Sequence, residues 1–250
     1  MKPIIDGDLI SYPCAASAEN ETEAICHWRI DDSIRLIKEA AKNFIESSIY
    51  LTGSNNFRKT VDPLYKANRA DKLKPKWLES ARDYLVSKHG AIVVDGMEAD
   101  DALGINQTEH TVLCSFDKDL LMIPGNHYNW KKELFTVVHW PEDYRHFYKQ
   151  MLIGDTTDNI TGVRGIGPVK AGKMLDSAED PLEMYQIVRD TYNHHTRFIK
   201  NANLLWIMRK PNQMWQDAHP VLYKELLDDD AYTEEIYAQE ADRESDQVQV

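Results

Sequence analysis

Short apolar runs alternate with helical patterns over the first 115 residues of the chain. Four of these runs have the length and composition of buried strands: KPIID, SSIYLTG, AIVVDG and HTVLCS. Between the first two, DDSIRLIKEAAKNFIESS has the residue spacing of an amphipathic helix. Alternation of this kind is typical of a mostly parallel sheet flanked by helices, so the sequence predicts an α/β fold.

The pattern changes near residue 141, where strand signals fade and the chain becomes mainly helical through ANLLWIMRK. We therefore expect an α/β core over residues 1–150 and a helical region over residues 151–227. Residues 228–250 are rich in acids and are expected to form a flexible tail.

Composition limits the class of protein. With 250 residues and 42% hydrophobic side chains, the chain can bury a substantial core. No stretch approaches the roughly 20 apolar residues of a membrane span, and the three cysteines, Cys14, Cys26 and Cys114, lack CxxC spacing. We expect no disulfide framework, no zinc site, no membrane association and a cytoplasmic location.

The net charge of -12 is unevenly distributed. Nine acids and one base in residues 228–250 give -8, which leaves -4 for residues 1–227. The stretch from Phe57 to Lys88 carries nine bases against four acids and includes four aromatic residues. Such a stretch can be a solvated face, but it also suits a single nucleic-acid strand, since phosphates pair with the basic side chains and nucleobases stack on the aromatic rings.

Acidic residues recur at the ends of the predicted strands. Asp6 ends the first strand, and Asp117 and Asp119 follow the fourth. Groups beyond the carboxyl ends of parallel strands converge on one crevice. We expect eight acids to meet there: Asp6, Glu98, Asp100, Asp101, Asp117, Asp119, Asp155 and Asp158.

These acids together indicate a metal site. Like charges at close range cannot all be ionised unless cations neutralise them. All-oxygen ligand sets select hard ions such as Mg²⁺ or Mn²⁺, and a pair of such ions about 3.5–4 Å apart can activate a water and stabilise a phosphate leaving oxygen. Each acid alone could be a turn former or a helix cap, but the joint pattern predicts two divalent cations.

A segment with glycines and lysines, GVRGIGPVKAGKML, follows the acids of GDTTDN directly. Its glycines let the backbone approach a ligand closely, and free amides at a helix start bind phosphate without reading base sequence. Taken alone, the segment could be an ordinary turn between helices. Next to the acids, it predicts a contact with a nucleic-acid backbone. The residues expected to make this contact are Gly162, Gly165, Gly167, Lys170 and Lys173.

Five motifs occur in order over residues 3–176: IIDGD, FRK followed by YKANR, EADD, SFDKDLL and GDTTDNITGVRGIG. In this order they resemble the 5′-nuclease family, which includes flap endonucleases and bacteriophage 5′-3′ exonucleases. The resemblance implies a Rossmann-like or PIN-like core followed by a helix-hairpin-helix region. It also implies a metal-dependent, structure-specific hydrolase that cuts phosphodiester bonds near the 5′ ends of DNA.

The resemblance further implies a role for each site residue. Two metal sites are implied, the first formed by Asp6, Glu98 and Asp100 and the second by Asp117, Asp119 and Asp155. Asp101 and Asp158 are expected to act through waters. Basic residues are expected near the scissile phosphate, namely Lys66 and Arg69 of YKANR, with Arg58 and Lys59 nearby.

The implied substrate is DNA with a 5′ end, a flap or a nick, with RNA of RNA-DNA hybrids as a further candidate. The hairpin is expected to hold duplex backbone, with a potassium ion at its turn, and the protein is expected to act as a monomer. One feature departs from the family pattern. Its members usually carry an acid just after the second strand, where this chain has Thr52 and Gly53, so the first metal is expected to be held less tightly.

Two other functions remain open from the sequence. IIDGDLI also fits the first motif of haloacid-dehalogenase-type phosphatases, with Asp6 as the nucleophile and Asp8 as the general acid. That interpretation leaves EADD, DKD and the glycine-lysine segment without a role. A DNA-binding nuclease relic, inactive because the acid near Thr52 is missing, is the non-enzymatic alternative.

Overall fold

The computed structural model describes residues 1–41, 46–70, 72–192 and 194–228, and within them the chain forms a six-stranded sheet in the order β3-β2-β1-β4-β5-β6. Strands β1 to β5 run parallel, and β6 pairs with β5 in the antiparallel sense. The strands are β1 (Lys2–Asp6), β2 (Ser48–Thr52), β3 (Ile92–Val94), β4 (Thr111–Cys114), β5 (Gly125–Asn129) and β6 (Leu134–Val138). The four expected strands and the α/β fold class are confirmed.

Helices cover both faces of the sheet because successive strand residues point to opposite sides. Ile5 packs against the helices on one face, whereas its neighbour Ile4 packs against the other. The first face carries α1 (Asp8–Ser17), α2 (Glu23–Ala40) and α4 (Leu78–His89), and the second carries α5 (Ala99–Asn106). Between β2 and α4 lie the short helix α3 (Arg58–Val61) and a 3-10 turn at Ala67–Arg69.

The helix expected between the first two strands is present but begins earlier. It starts at Glu23 rather than near residue 31, and residues 42–45 lie outside the described ranges. Strands β5 and β6 had no counterpart in the sequence prediction. GNHYN has little β-branched content, and it becomes a strand because β4 and β6 supply its hydrogen-bond partners.

A helical layer follows the sheet and contains its own core. Phe147, Tyr185, Phe198, Trp206 and Trp215 are buried together there. The layer comprises α6 (Glu142–Ile153), α7 (Pro168–Leu175), α8 (Pro181–Thr191), α9 (His195–Leu205), α10 (Trp215–Ala218) and a helical stretch over 220–228.

The boundary expected between residues 150 and 151 falls inside α6. Since Phe147 and Met151 of this helix both pack into the helical core, α6 belongs with the helical layer. The acidic tail lies outside the described residues from position 229 onward. Among the described helices, none combines the length and apolar character needed to cross a bilayer.

Candidate active site

A cavity of about 650 Å³ opens at the carboxyl ends of β1 and β4. Its lining brings together seven of the eight predicted acids, from separate parts of the chain. These are Asp6, Glu98, Asp100, Asp117, Asp119, Asp155 and Asp158. Lys66 and Arg69 of YKANR line the same cavity.

Asp6 is fixed at the end of β1 by two hydrogen bonds. Its Oδ1 accepts from the backbone N–H of Leu9 at 3.0 Å, and its Oδ2 accepts from the Ser115 hydroxyl at 3.2 Å. The same hydroxyl oxygen accepts from the Asp117 N–H at 3.0 Å. Ser115 therefore links the acids at the ends of β1 and β4. The sequence contains this serine in SFDKD, but serine after a strand gives no signal for such a role.

The remaining acids are held by local turns and by α6. Asp117 Oδ1 accepts from the Asp119 N–H at 2.9 Å, and Asp155 Oδ1 accepts from the Thr157 N–H at 2.7 Å. Carboxylates that bond a backbone amide two residues on form turns of this kind. The side chain of Gln150 on α6 hydrogen-bonds Asp119. Gln150 is another contributor that the sequence pattern did not indicate.

The acids raise one another's pKa values inside the cavity. Burial raises the pKa of Asp6 to about 7, and the nearby Asp8 and Asp117 charges add to the effect. Burial, with Asp117 next in order, raises the pKa of Asp119 to about 6. The pKa of Asp100 is also raised, first by burial and then by Asp6 and Asp117. The site therefore favours extra positive charge, as a bound cation would supply.

The donor chemistry of the cavity fits hard divalent cations, since its acids are all oxygen ligands. Within the described residues, no three His, Cys, Asp or Glu side chains already stand close enough to form a coordination shell. The raised pKa values of Asp6 and Asp100 indicate that a bound cation would favour the ionised forms of these carboxylates.

Two cations from YKANR neutralise part of the acidic lining. Lys66 Nζ pairs with Glu98 Oε1 and lies 3.5 Å from Asp158 Oδ2, and Arg69 pairs with Asp158. The Tyr65 hydroxyl donates to Asp158 Oδ2 at 2.9 Å and lies 3.2 Å from Glu98 Oε2. Tyr65 is buried, so its contacts hold the two acids from within the fold.

The YKANR segment is attached to the loop that follows Asp155. The backbone N–H of Lys66 donates to the carbonyl of Asp158 at 3.0 Å, and Arg69 Nε donates to the Thr157 carbonyl at 3.0 Å. Lys66 has a left-handed backbone with φ 57°, which is uncommon for a residue with a Cβ. These contacts fix the direction in which the Lys66 and Arg69 side chains enter the cavity.

Arg58 and Asp101 do not have the functions predicted for them. Arg58 is 2% exposed and Asp101 is 0% exposed, and two hydrogen bonds of 2.6 and 2.9 Å join the guanidinium to the carboxylate. Asp101 also accepts from the N–H groups of Glu98 and Met208, each at 3.1 Å. Burial alone would raise the pKa of Asp101, but Arg58 lowers it. Asp101 is thus turned away from the cavity, and Arg58 is too buried to contact DNA.

The end of β2 has a carboxylate nearby, although it carries none itself. Asp8 lines the cavity and accepts from the Thr52 N–H at 3.0 Å, and Arg82 on α4 binds both Asp8 and the Thr52 carbonyl. A Cβ on Gly53 would lie 2.3 Å from the carbonyl oxygen of Val94. An acid at position 53 therefore cannot be accommodated without a backbone shift.

The hairpin places four of its five predicted residues at the surface. Gly165, with φ +77°, and Gly167 are exposed, and no atom lies within 4 Å of a Cβ built on either. Lys170 and Lys173 on α7 are also exposed. Gly162 is a correction: it is buried, and its Cβ would lie 2.1 Å from the carbonyl carbon of Ile153. It is required for the close approach of β7 (Gly154–Asp155) and β8 (Ile160–Thr161), not for DNA contact.

Lys59 occupies the exposed surface of α3. Its neighbour Arg58 points into the protein, so adjacent basic residues of FRK have opposite environments. Exposure permits the DNA contact expected of Lys59, and that role stays a prediction.

The chain is similar to several nucleases. It is 27% identical to an exodeoxyribonuclease of Enterobacteria phage T3 over 236 residues, which cover 84% of this chain and 76% of that one. It is 29% identical to an exonuclease of Escherichia phage T7, with 71% and 65% covered. A DNA polymerase I of Caldicellulosiruptor bescii is 32% identical across 73% of this chain but only 25% of its own length. No protein-family model matches the chain.

Solved structures agree with the fold. The 5′-exonuclease of bacteriophage T5, with bound zinc ions, matches with a TM-score of 0.65 and 18% identity over 91% of this chain and 96% of that one. The bacteriophage T5 flap endonuclease, in complex with DNA and metal ions, matches with a TM-score of 0.64 and 17% identity over 91% and 95%.

The protein has an α/β sheet with an acidic cavity at its carboxyl edge, and its sequence is similar to named exonucleases. Together these features define a nuclease, which is a hydrolase. The ordered motifs, the relatives and the shared fold narrow this class. The chain has the ordered motifs of the 5′-nuclease family, relatives that are named exonucleases and the fold of the T5 5′-exonuclease.

Proposed function

We propose that this protein is a metal-dependent, structure-specific 5′-nuclease that hydrolyses phosphodiester bonds near the 5′ ends of DNA, as a 5′-3′ exonuclease, a flap endonuclease or both. The observation that supports the proposal best is the convergence of seven of the eight predicted acids, with Lys66 and Arg69, on one cavity. A role in phage DNA replication agrees with the T3 and T7 relatives.

Two groups of acids would hold the divalent cations, Mg²⁺ or Mn²⁺. We assign Asp6, Glu98 and Asp100 to the first ion and Asp117, Asp119 and Asp155 to the second, with Asp158 acting through a water. When bound, such a pair of ions activates a water and stabilises the leaving oxygen. The T5 enzymes, which share the fold, were crystallised with metal ions, and this supports the assignment.

Lys66 and Arg69 bind and orient the scissile phosphate in this proposal. Both side chains enter the cavity from one side and pair with Glu98 or Asp158. Exchange of a carboxylate for a phosphate keeps each cation paired, because charge-assisted hydrogen bonds form equally with either anion. The attachment of YKANR to the loop at Asp158 keeps both cations beside the metal ligands.

The exposed hairpin holds the duplex backbone away from the cut. Gly165 and Gly167 leave backbone groups accessible, and Lys170 and Lys173 add positive charge. A potassium ion at the turn, activity on RNA of RNA-DNA hybrids and a monomeric state belong to the same proposal. The T5 flap endonuclease that shares the fold was solved with DNA, which supports the nucleic-acid partner.

The phosphatase alternative receives no support from the contacts of Asp8. A general acid must carry and release a proton near the nucleophile, whereas Asp8 pairs with Arg82 and accepts from the Thr52 amide. The nuclease relic is also not favoured, because Asp8 supplies an acid at the end of β2 despite the glycine at position 53.

The proposal is tested with end-labelled flap, nicked and blunt DNA of one sequence, each incubated with magnesium and with EDTA. We expect 5′-phosphorylated products in magnesium, and the flap and nick results assign the balance between endonuclease and exonuclease activity. Full cleavage in EDTA would contradict the metal-dependent mechanism. Absence of cleavage of all three substrates in both magnesium and manganese would contradict the nuclease proposal itself.

A further inference from the structure

A second cavity, of about 310 Å³, adjoins the acidic one on the side of the hairpin. It shares Lys118 and Asp119 with the acidic cavity and extends to Pro168, the first residue of α7. His146 and Lys149 of α6 line it between these ends. We call this cavity the α6 groove. It connects the candidate metal site with the start of the hairpin helix.

The α6 groove carries two lysines, Lys118 and Lys149, and the charge of Lys118 acts on Asp119, whose pKa it lowers in part. Lys66, Arg69 and Arg82 of the acidic cavity each pair with a carboxylate. Neither Lys118 nor Lys149 forms an ion pair with any residue in the described part of the chain. Lysines that form no ion pair beside a cluster of acids are suited to an external anion.

Lys149 extends from α6 to the surface of α7. A Cβ built on Gly172 would lie 3.9 Å from Lys149 Nζ, so the ammonium group stands against the part of α7 where the side chain is missing. Met122, Ile153 and Pro168 provide apolar lining beside it. Apolar surface next to an ammonium group matches the alternation of sugar and phosphate along a nucleic-acid backbone.

We propose that the α6 groove binds a phosphodiester of the duplex between the cut and the hairpin, with Lys149 as its main contact and Lys118 beside the metal site. The inference rests on the proposed nuclease function. Duplex is the occupant that the arrangement favours, because the groove is continuous with the acidic cavity at one end and with the exposed hairpin at the other. A single contact of this kind adds affinity and register but reads no base sequence.

Binding assays with Lys149→Ala and Lys149→Arg test the inference. Affinity for a labelled duplex is measured in EDTA over a range of NaCl concentrations, and Lys88→Ala serves as the matched control. Lys88 ends the basic stretch over residues 57–88, but it is exposed in the last turn of α4, just before β3 begins, which places it at the amino ends of the parallel strands, away from the acids. Lys149→Ala should weaken binding several-fold and reduce the salt slope by about one unit. Lys149→Arg and Lys88→Ala should both bind like the wild type, and in magnesium the Lys149→Ala defect should raise KM.

Each contrary result has a separate meaning. Unchanged duplex binding by Lys149→Ala at every salt concentration, with normal magnesium-dependent cleavage by the wild type, would overturn the α6 groove but not the nuclease. A wild type that neither binds nor cuts DNA would overturn the proposed function instead. An equal loss of affinity for a single strand of the same sequence would overturn the assignment to duplex. A similar loss with Lys88→Ala would show that the effect comes from the net charge of the protein and not from a contact in the α6 groove.

Discussion

Asp100 and Asp101 are adjacent in sequence and identical in chemistry, yet they should respond in opposite ways to the same substitution. Asp101 is fully buried and pairs with Arg58 through bonds of 2.6 and 2.9 Å. Asp100 lines the acidic cavity, and burial together with Asp6 and Asp117 raises its pKa. We therefore compare Asp101→Asn with Asp100→Asn, since both changes remove a charge and keep the side-chain volume.

The expected magnitudes follow from these surroundings. Asp101→Asn leaves the Arg58 guanidinium buried without a countercharge, and loss of one partner of a buried ion pair costs about 3–5 kcal/mol. In a chain of this size, 1 kcal/mol corresponds to about 2–4 °C of melting temperature, so a fall of roughly 6–20 °C is expected. Asp100→Asn leaves no charge unpaired and relieves repulsion, so the free energy of unfolding should stay the same or rise in EDTA.

Urea unfolding and thermal melts in EDTA measure the stability of both variants, and flap cleavage in magnesium is assayed below the melting temperature of Asp101→Asn. We expect Asp101→Asn to be destabilised but to retain cleavage within about ten-fold of the wild type. Asp100→Asn should stay folded and lose about 100-fold or more, because several kcal/mol of charge stabilisation at the reacting phosphate is lost.

One outcome would refute the structural role of Asp101. A variant as stable as the wild type but inactive would return Asp101 to the catalytic set predicted from EADD. A double variant checks the physical cause of destabilisation. Arg58→Met combined with Asp101→Leu removes both charges, and it should recover most of the stability that Asp101→Asn loses, since apolar pairs can replace buried ion pairs.

Three further predictions concern the metal site and the hairpin. Asp119→Asn and Asp155→Asn should each lower cleavage about 100-fold or more, while flap binding in EDTA persists or tightens because one charge facing the phosphates is gone. The pKa of Asp6 is raised from 3.8 to about 7, so Asp6 contributes stability in EDTA that is lost as the pH rises from about 4 to 7. The urea midpoints of Asp6→Asn should lack this contribution. Lys170→Ala with Lys173→Ala should weaken duplex binding and flatten the salt slope by up to about one unit per lost contact.

Each of these three predictions has a result that would contradict it. Near wild-type cutting by Asp119→Asn would overturn the second metal assignment. Parallel urea midpoints for wild type and Asp6→Asn between pH 4 and 7 would show that Asp6 is not protonated preferentially in the fold. Unchanged duplex affinity in the lysine double variant would show that GVRGIGPVKAGK is an ordinary turn and not a DNA contact.

The grouping of acids beyond the strand ends could be predicted from the sequence, because a topological rule brings these residues together. Parallel strands carry the residues after them to one edge of the sheet, and this was sufficient to group Asp6 with Asp117. The rule does not separate Asp100 from Asp101, since neighbouring helix residues point about 100° apart and the sequence does not give the rotation of α5. That rotation depends on Arg58, which is 43 residues away and whose burial no local pattern indicates.

Two glycines show the same limit of prediction from sequence. Gly162 and Gly165 lie in one motif and look equally suited to contact a ligand. Packing of β7 against β8 buries the first, whereas the second remains exposed in the turn with a positive φ. Sequence gives the residue type, but the distance to Ile153 comes only from the folded chain.

The attachment of YKANR to the loop at Asp158 has a consequence for how the enzyme acquires activity. Arg69 and Thr157 are 88 residues apart in sequence, and Arg58 bonds the carbonyl of Leu204 across 146 residues. Contacts of such separation form late, since closing a long loop costs entropy before any contact compensates for it. The fragment 1–150 contains five of the seven predicted acids that line the cavity but neither Asp155 nor Asp158. During synthesis the nuclease should therefore stay inactive until the helical layer has left the ribosome and folded.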